Sequence, residues 1–229
     1  MQNQILVIIT WIFIMRAKNN ISSKGKNAVA VIADGETEKW YLQLLNQEED
    51  LRLPITYKLP KGNLQEVYEV VKEQCSLPFT KVFWIIDFDV IAREERERAQ
   101  GTPSPVALFR DILNEVNSEP KKYPNLFLYI NNPCLEFFHL LHFKDTARYY
   151  QMYEPSLRRE LQSVLPNYEK SEKFYKSSPN IYVRLKPNQD LAINRASRLT
   201  EFDINNYQSA QADIYKLVKD LVSQTSDIV

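Results

Sequence analysis

The sequence predicts an α/β fold built on a mainly parallel sheet flanked by helices, and three observations carry that expectation. Short apolar runs alternate with stretches of helical spacing from residue 28 to about residue 143, and such alternation implies parallel strands joined by right-handed crossovers. The run Val82, Phe83, Trp84, Ile85, Ile86 is too short for a typical helix and apolar throughout, so it reads as a strand buried on both faces. Asp34 and Gly35 break the first apolar run, and a helical pattern begins at once, as at a tight strand-to-helix turn.

Composition sets the outer bounds. A chain of 229 residues with 44% apolar residues suits one sizeable α/β core with a helical appendage. Lys plus Arg and Asp plus Glu number 29 each, so no global basic field points to nucleic acid, and phosphate binding must come from a local patch or a bound metal. Four glycines leave no G-x-G-x-x-G and no Walker-type phosphate loop. Cys75 and Cys134 have no zinc or disulfide framework spacing and read as buried small hydrophobes in a reducing, cytoplasmic setting.

Residues 1–27 read as an N-terminal leader, with Met15 as an alternative start. The apolar run 5–15 is shorter than the ~20 residues that span a bilayer and lacks a preceding Lys or Arg, so no stable membrane span is expected. Residues 28–33 form the first strand. The helix from Glu36 carries Trp40, Tyr41, Leu44 and Leu45 on one face, with Glu36 and Glu38 in the dipole-favoured first turn. A weaker strand follows at 55–59, then an amphipathic helix marked by Leu64, Val67, Tyr68, Val71 and Cys75.

The central run ends in Asp87 and Asp89. Residues two apart on a strand point to one side, so both carboxylates are expected at the C-terminal sheet edge, where ligands collect in open α/β folds. Paired hard anions suit Mg²⁺ or Mn²⁺; an Asp-rich turn is the plain alternative. Residues 92–100 alternate in charge and read as a solvated helix or loop, or as a mobile cover bringing Arg to phosphate. A helix is expected over 106–116 and a strand over 126–130.

Asn132 and Pro133 mark a helix start as N-cap and first helical residue. The helix that follows is apolar all round apart from Glu136, whose carboxyl needs a cation nearby: the metal of Asp87 and Asp89, or a structural Lys or Arg. His139 and His142 read as packing residues. Beyond Lys144 the chain reads as helical and polar, with Tyr and Lys interleaved around Tyr149, Tyr150, Tyr153 and over 168–178. Such a pattern serves bases and phosphates or, more simply, surface helices that bury aromatic bodies. Helices are expected over 189–199, carrying Arg195 and Arg198, and over 207–222.

Three blocks together resemble the RloB-like family, whose fold is related to the Toprim domain of topoisomerases, primases and overcoming-lysogenization-defect nucleases. They are Asp34, Gly35, Glu36, Thr37, Glu38 with Tyr41; Asp87, Phe88, Asp89; and Asn131 to Phe143 around Pro133, Cys134 and Glu136. A weaker match runs over residues 191–196. The resemblance implies a Toprim-like core over 28–145 with a helical C-terminal extension over 146–229. It also implies a Mg²⁺- or Mn²⁺-dependent nuclease acting on DNA or RNA in bacterial anti-phage defence, beside a partner ATPase and with homo-oligomers open. By that resemblance Asp34, Asp87, Asp89 and Glu136 are the catalytic and metal-binding residues. Asp34 departs from the family's Glu and is one methylene shorter, with Glu36 or Glu38 as candidates to compensate. The competing expectation is a catalytically degenerate module that binds a partner or a phosphate ligand without cleavage.

Overall fold

The computed structural model describes residues 28–226, with side chains through residue 222, and the expected leader lies outside the described residues. Five strands, β1 (Val29–Ile32), β2 (Ile55–Lys58), β3 (Lys81–Asp87), β4 (Leu126–Asn132) and β5 (Gln211–Ala212), form one sheet. Their order is β2-β1-β3-β4-β5, parallel except for antiparallel β5. Helices α1 (Glu36–Glu48), α2 (Leu64–Ser76), α3 (Phe88–Glu97) and α4 (Pro105–Ser118) are the crossovers, and α5 (Leu135–Leu141) follows β4. No helix among the described residues is long and apolar enough to cross a membrane.

Both sheet faces are buried, which is why β1 and β3 are continuously apolar. Val29, Val31, Phe83 and Ile85 face one core with Tyr41, Leu45 and α5; Ala30, Ile32, Val82, Trp84 and Ile86 face the other with Tyr68, Phe88 and Phe109. Asn63 starts α2 with a reciprocal capping box to Glu66, and Ser104 caps α4, which has Pro105 in its first turn.

The segment after α5 is less helical than expected. Residues 144–152 are irregular, followed by a π-turn (Tyr153–Leu157), α6 (Arg158–Val164), α7 (Glu172–Lys176), α8 (Ile181–Leu185), a 3-10 turn, α9 (Gln189–Ser197) and α10 (Ile214–Ser226). Leu157, Leu161, Tyr168, Tyr175, Tyr182, Leu185 and Leu217 join the core that holds Val29 and Val31. The aromatic rings of this stretch are therefore packing groups, as the simpler reading had it. Arg195 and Arg198 are also structural: Arg195 Nη1 donates to the Leu141 carbonyl at 2.7 Å, and Arg198 Nη2 to Asp145 at 2.8 Å.

Three local expectations are corrected. β3 stops at Asp87 and α3 begins at Phe88, so Asp89 lies in a helical first turn, where its carboxylate meets the helix dipole. Asn132 does not cap a helix. It pairs in the sheet with Gln211, its side-chain amide donates to the Tyr207 and Ser209 carbonyls at 2.7 and 2.8 Å, and α5 starts two residues later than expected, with Cys134 at its N-cap. The final helix starts at Ile214 because Gln211 and Ala212 are committed to the sheet.

Candidate metal-binding cleft

The C-terminal ends of β1 and β3 are tied together at the site. Asp34 follows β1, and its Oδ2 accepts the Asp87 backbone N–H at 2.9 Å. Asp87 Oδ1 accepts from the Leu135 backbone N–H at 3.1 Å and from Asn131 Nδ2 at 3.3 Å. Asp89 N–H donates to the Pro133 carbonyl at 3.1 Å, and Asp89 Oδ2 accepts the Tyr153 N–H at 3.3 Å. Each carboxylate is thus oriented by backbone from a neighbouring element. Asp34 Oδ1, Asp87 Oδ2 and Asp89 Oδ1 accept no hydrogen bond from the described residues.

These groups line a cleft of about 470 Å³ with Glu38, Arg93, Tyr153 and Lys170. Glu38 is buried and takes a 3.0 Å hydrogen bond from Thr37 Oγ1, whereas Glu36 is exposed and pairs with Lys39. Glu38 is thus the buried acidic group of the turn, while Glu36 lines the same cleft from its exposed rim. Gly35 is extended (φ −147°), a conformation open to any residue; what it supplies is space, because a Cβ there would lie 3.1 Å from Glu38 Oε2.

The carboxylates crowd one another. Burial first, then Glu38 and Glu136, push Asp87 well above the usual carboxylate range against the pull of Lys170. Burial and Glu136 likewise raise Glu38. Asp89 is raised by burial, with Lys170 and the Tyr153 amide opposing. Asp34 is open to cleft water while protein closes around it at longer range. That surrounding desolvation, then Glu38, Asp89 and Glu94, takes its carboxyl up to about 7, and the Asp87 amide resists.

One oxygen each of Asp34, Asp87 and Asp89 is left for a divalent cation, which would offset the excess of negative charge. Carboxylate oxygens are the donors Mg²⁺ or Mn²⁺ takes, and Asp34, Asp87 and Asp89 supply them to one cleft, although the ligand atoms that lie within 4.8 Å of one another are those of Asp87, Cys134 and Glu136. Glu136 is placed differently. It is fully buried, its Oε1 accepts the Tyr168 hydroxyl at 2.8 Å, and its Oε2 lies 2.8 Å from Lys170 Nζ. Its ligand atom is nonetheless within 4.8 Å of those of Asp87 and Cys134, so the chain does bring Glu136 to the same corner of the sheet. His139 is buried, and burial, His142 and Lys170 keep its pKa well below the usual range, so it stands as a neutral packing residue.

The family model described as RloB-like protein matches residues 29–221, nearly all of the described chain. The chain belongs to the RloB-like family. No curated protein and no solved structure matches it. The matched span of this RloB-like chain covers the cleft residues from Asp34 to Lys170, including both acidic turns and the helix start at Cys134.

Lys170, which lines the cleft and pairs with Glu136, is the residue that sequence reasoning passed over. It sits in the Tyr- and Lys-rich stretch 34 residues beyond Glu136, where only the packing of Tyr168 and Tyr175 turns it toward the sheet edge. Arg93, exposed on α3, lines the cleft, and the charged segment up to Glu97 is a largely solvated helix, as the plainer reading had it.

The raised carboxyl groups make stability depend on pH in a defined direction. A carboxyl whose folded pKa lies above its unfolded value favours the folded state below about pH 4, and that contribution is lost as pH rises through the folded value, about 7 for Asp34. Paired surface carboxylates such as Glu49 and Glu160 are shifted down and titrate below this window. His139 and His142, buried with lowered pKa values, oppose the raised carboxyls by destabilising the fold as pH falls below about 6.5, so the metal-free protein should gain in melting temperature as pH falls from 8 to about 6.5. At pH 8, Mg²⁺ or Mn²⁺ at about 100 times its dissociation constant should add roughly 2.7 kcal/mol. Scanning calorimetry with chelator and with metal reads both effects, and a flat pH profile would contradict the crowding.

Proposed function

We propose that this RloB-like protein is a divalent-metal-dependent nuclease acting on DNA or RNA, with Mg²⁺ or Mn²⁺ held by Asp34, Asp87 and Asp89. The observation that carries the reading is the convergence of these three carboxylates and Glu38 on one cleft that also presents Lys170 and Arg93. Acidic groups alone repel a phosphodiester; acidic groups with a divalent ion and flanking cations attract one. The bound metal would polarise the phosphate and stabilise the attacking and leaving oxygens. Asp87 and Asp89 are held by backbone N–H groups, and each keeps one oxygen outside those bonds that could reach an ion. Arg93 would bind non-bridging phosphate oxygens at the cleft mouth, and Lys170 would add positive charge at its inner corner. A role in anti-phage defence with a partner ATPase, in the cytoplasm, rests on the family resemblance.

The second reading is a cleft that binds metal or phosphate without cleavage, and one observation favours it: Asp34 already spends Oδ2 on the Asp87 amide, leaving a short side chain with one oxygen for the ion. The two separate in one experiment. Purified protein is incubated with plasmid, single-stranded DNA and RNA under titrated Mg²⁺ and Mn²⁺, beside Asp34→Glu. Cleavage that requires metal supports the nuclease, and Asp34→Glu should raise it several-fold by extending reach to the ion. Metal binding with no product from any substrate, in either protein, would support the binding module instead.

A further inference from the structure

The inner corner of the cleft holds a second set of ligand atoms. Asp87, Cys134 and Glu136 are all buried, with one ligand atom from each inside a 4.8 Å span. This corner already has a cation. Lys170 Nζ is 2.8 Å from Glu136 Oε2 and 4.4 Å from the centre of the Tyr153 ring, and its side chain is 36% exposed toward the cleft that Asp87 and Asp89 line. Glu136 is itself fixed from behind: Tyr168 donates to its Oε1 at 2.8 Å, the Tyr168 and Tyr175 hydroxyls are 2.7 Å apart, and Tyr175 lies 3.3 Å from His139 Nε2. The chain of buried hydroxyls ends on a neutral imidazole, so it adds no charge of its own.

We propose that the Lys170 ammonium takes the place of a second divalent ion, so that the site holds one metal on the Asp34, Asp87 and Asp89 side and Lys170 fills the Asp87, Cys134 and Glu136 corner. The inference rests on the metal-cleft reading above and specifies its stoichiometry. Phosphoryl-transfer sites with two ions use them to neutralise the attacking and leaving oxygens. An ammonium is a compact point charge that does the same for one oxygen without demanding an octahedron of ligands. An ion placed in this corner would meet the ammonium head-on. Glu136 is then a positioning residue: it sets where the Lys170 charge stands.

The test counts ions on the full chain. Titration with Mn²⁺, read by the electron paramagnetic resonance of free ion, should give one ion per wild-type chain, one in Lys170→Arg and two in Lys170→Gln. With Cd²⁺, Lys170→Gln should gain the ultraviolet charge-transfer band of a thiolate–cadmium bond, absent from wild type and lost again on adding Cys134→Ser. Two Mn²⁺ ions in wild type, or one in folded Lys170→Gln, would overturn the inference and leave the nuclease reading intact. No Mn²⁺ in wild type would overturn both. The wild-type and Lys170→Arg counts decide the matter even if Lys170→Gln fails to fold.

Discussion

Asp87→Asn should reduce metal-dependent cleavage by about 1,000-fold or more without lowering the melting temperature of the metal-free protein. The substitution keeps the shape and the Oδ1 that receives Leu135 N–H and Asn131 Nδ2, so the start of α5 stays anchored. What changes is Oδ2, which becomes an amide nitrogen that cannot ligate a cation. Several kcal/mol of charge stabilisation go with that ligand, and about 4 kcal/mol is a thousandfold in rate. Stability should move the other way at pH 8, because a buried anion facing Glu38 and Glu136 has been removed. The pairing of lost activity with equal or higher stability marks a group kept for function rather than for folding. Initial cleavage rates and calorimetric melting on the same preparations check it; activity within tenfold of wild type would remove Asp87 from the site.

Lys170→Gln should cost about 3 kcal/mol in metal-free stability, with much of the loss recovered in the double variant carrying Glu136→Gln. Breaking a buried ion pair from one side leaves its partner without compensation and costs ~3–5 kcal/mol; the lower end applies because Lys170 is partly exposed whereas Glu136 is fully buried. Replacing both charges removes the mismatch, so the double-mutant cycle should show a coupling of more than about 1 kcal/mol. Urea unfolding of the four proteins supplies the numbers. Additive single effects would mean that the 2.8 Å contact between Glu136 and Lys170 is incidental.

Much of the frame was legible from residue order. The apolar run before Asp87 demanded a doubly covered central strand, and it lies between β1 and β4 in a parallel sheet. Asp34 and Asp87 could be placed at one sheet edge because both end apolar strands that must be neighbours or nearly so. The lone carboxyl of α5 was recognisable as a group needing a cation, and it has one. Less legible was β5: Gln211 and Ala212 have no apolar periodicity and are a strand only because Asn131 and Asn132 offer them a ladder. The start of α5 was misplaced for the same reason, since local capping preference at Asn132 lost to sheet pairing and to two carbonyls from residues 207 and 209.

Sequence alone thus determined which carboxyl groups border the sheet, through hydrophobic patterning that acts over a few residues and is written in them. Which cation answers Glu136, that Glu38 rather than Glu36 turns inward, and that Asp89 is held from a helix rather than a strand were decided only by tertiary packing. Those choices depend on where Tyr168, Lys170 and Tyr153 arrive after many intervening residues, and burial energy shared among distant segments leaves no local mark.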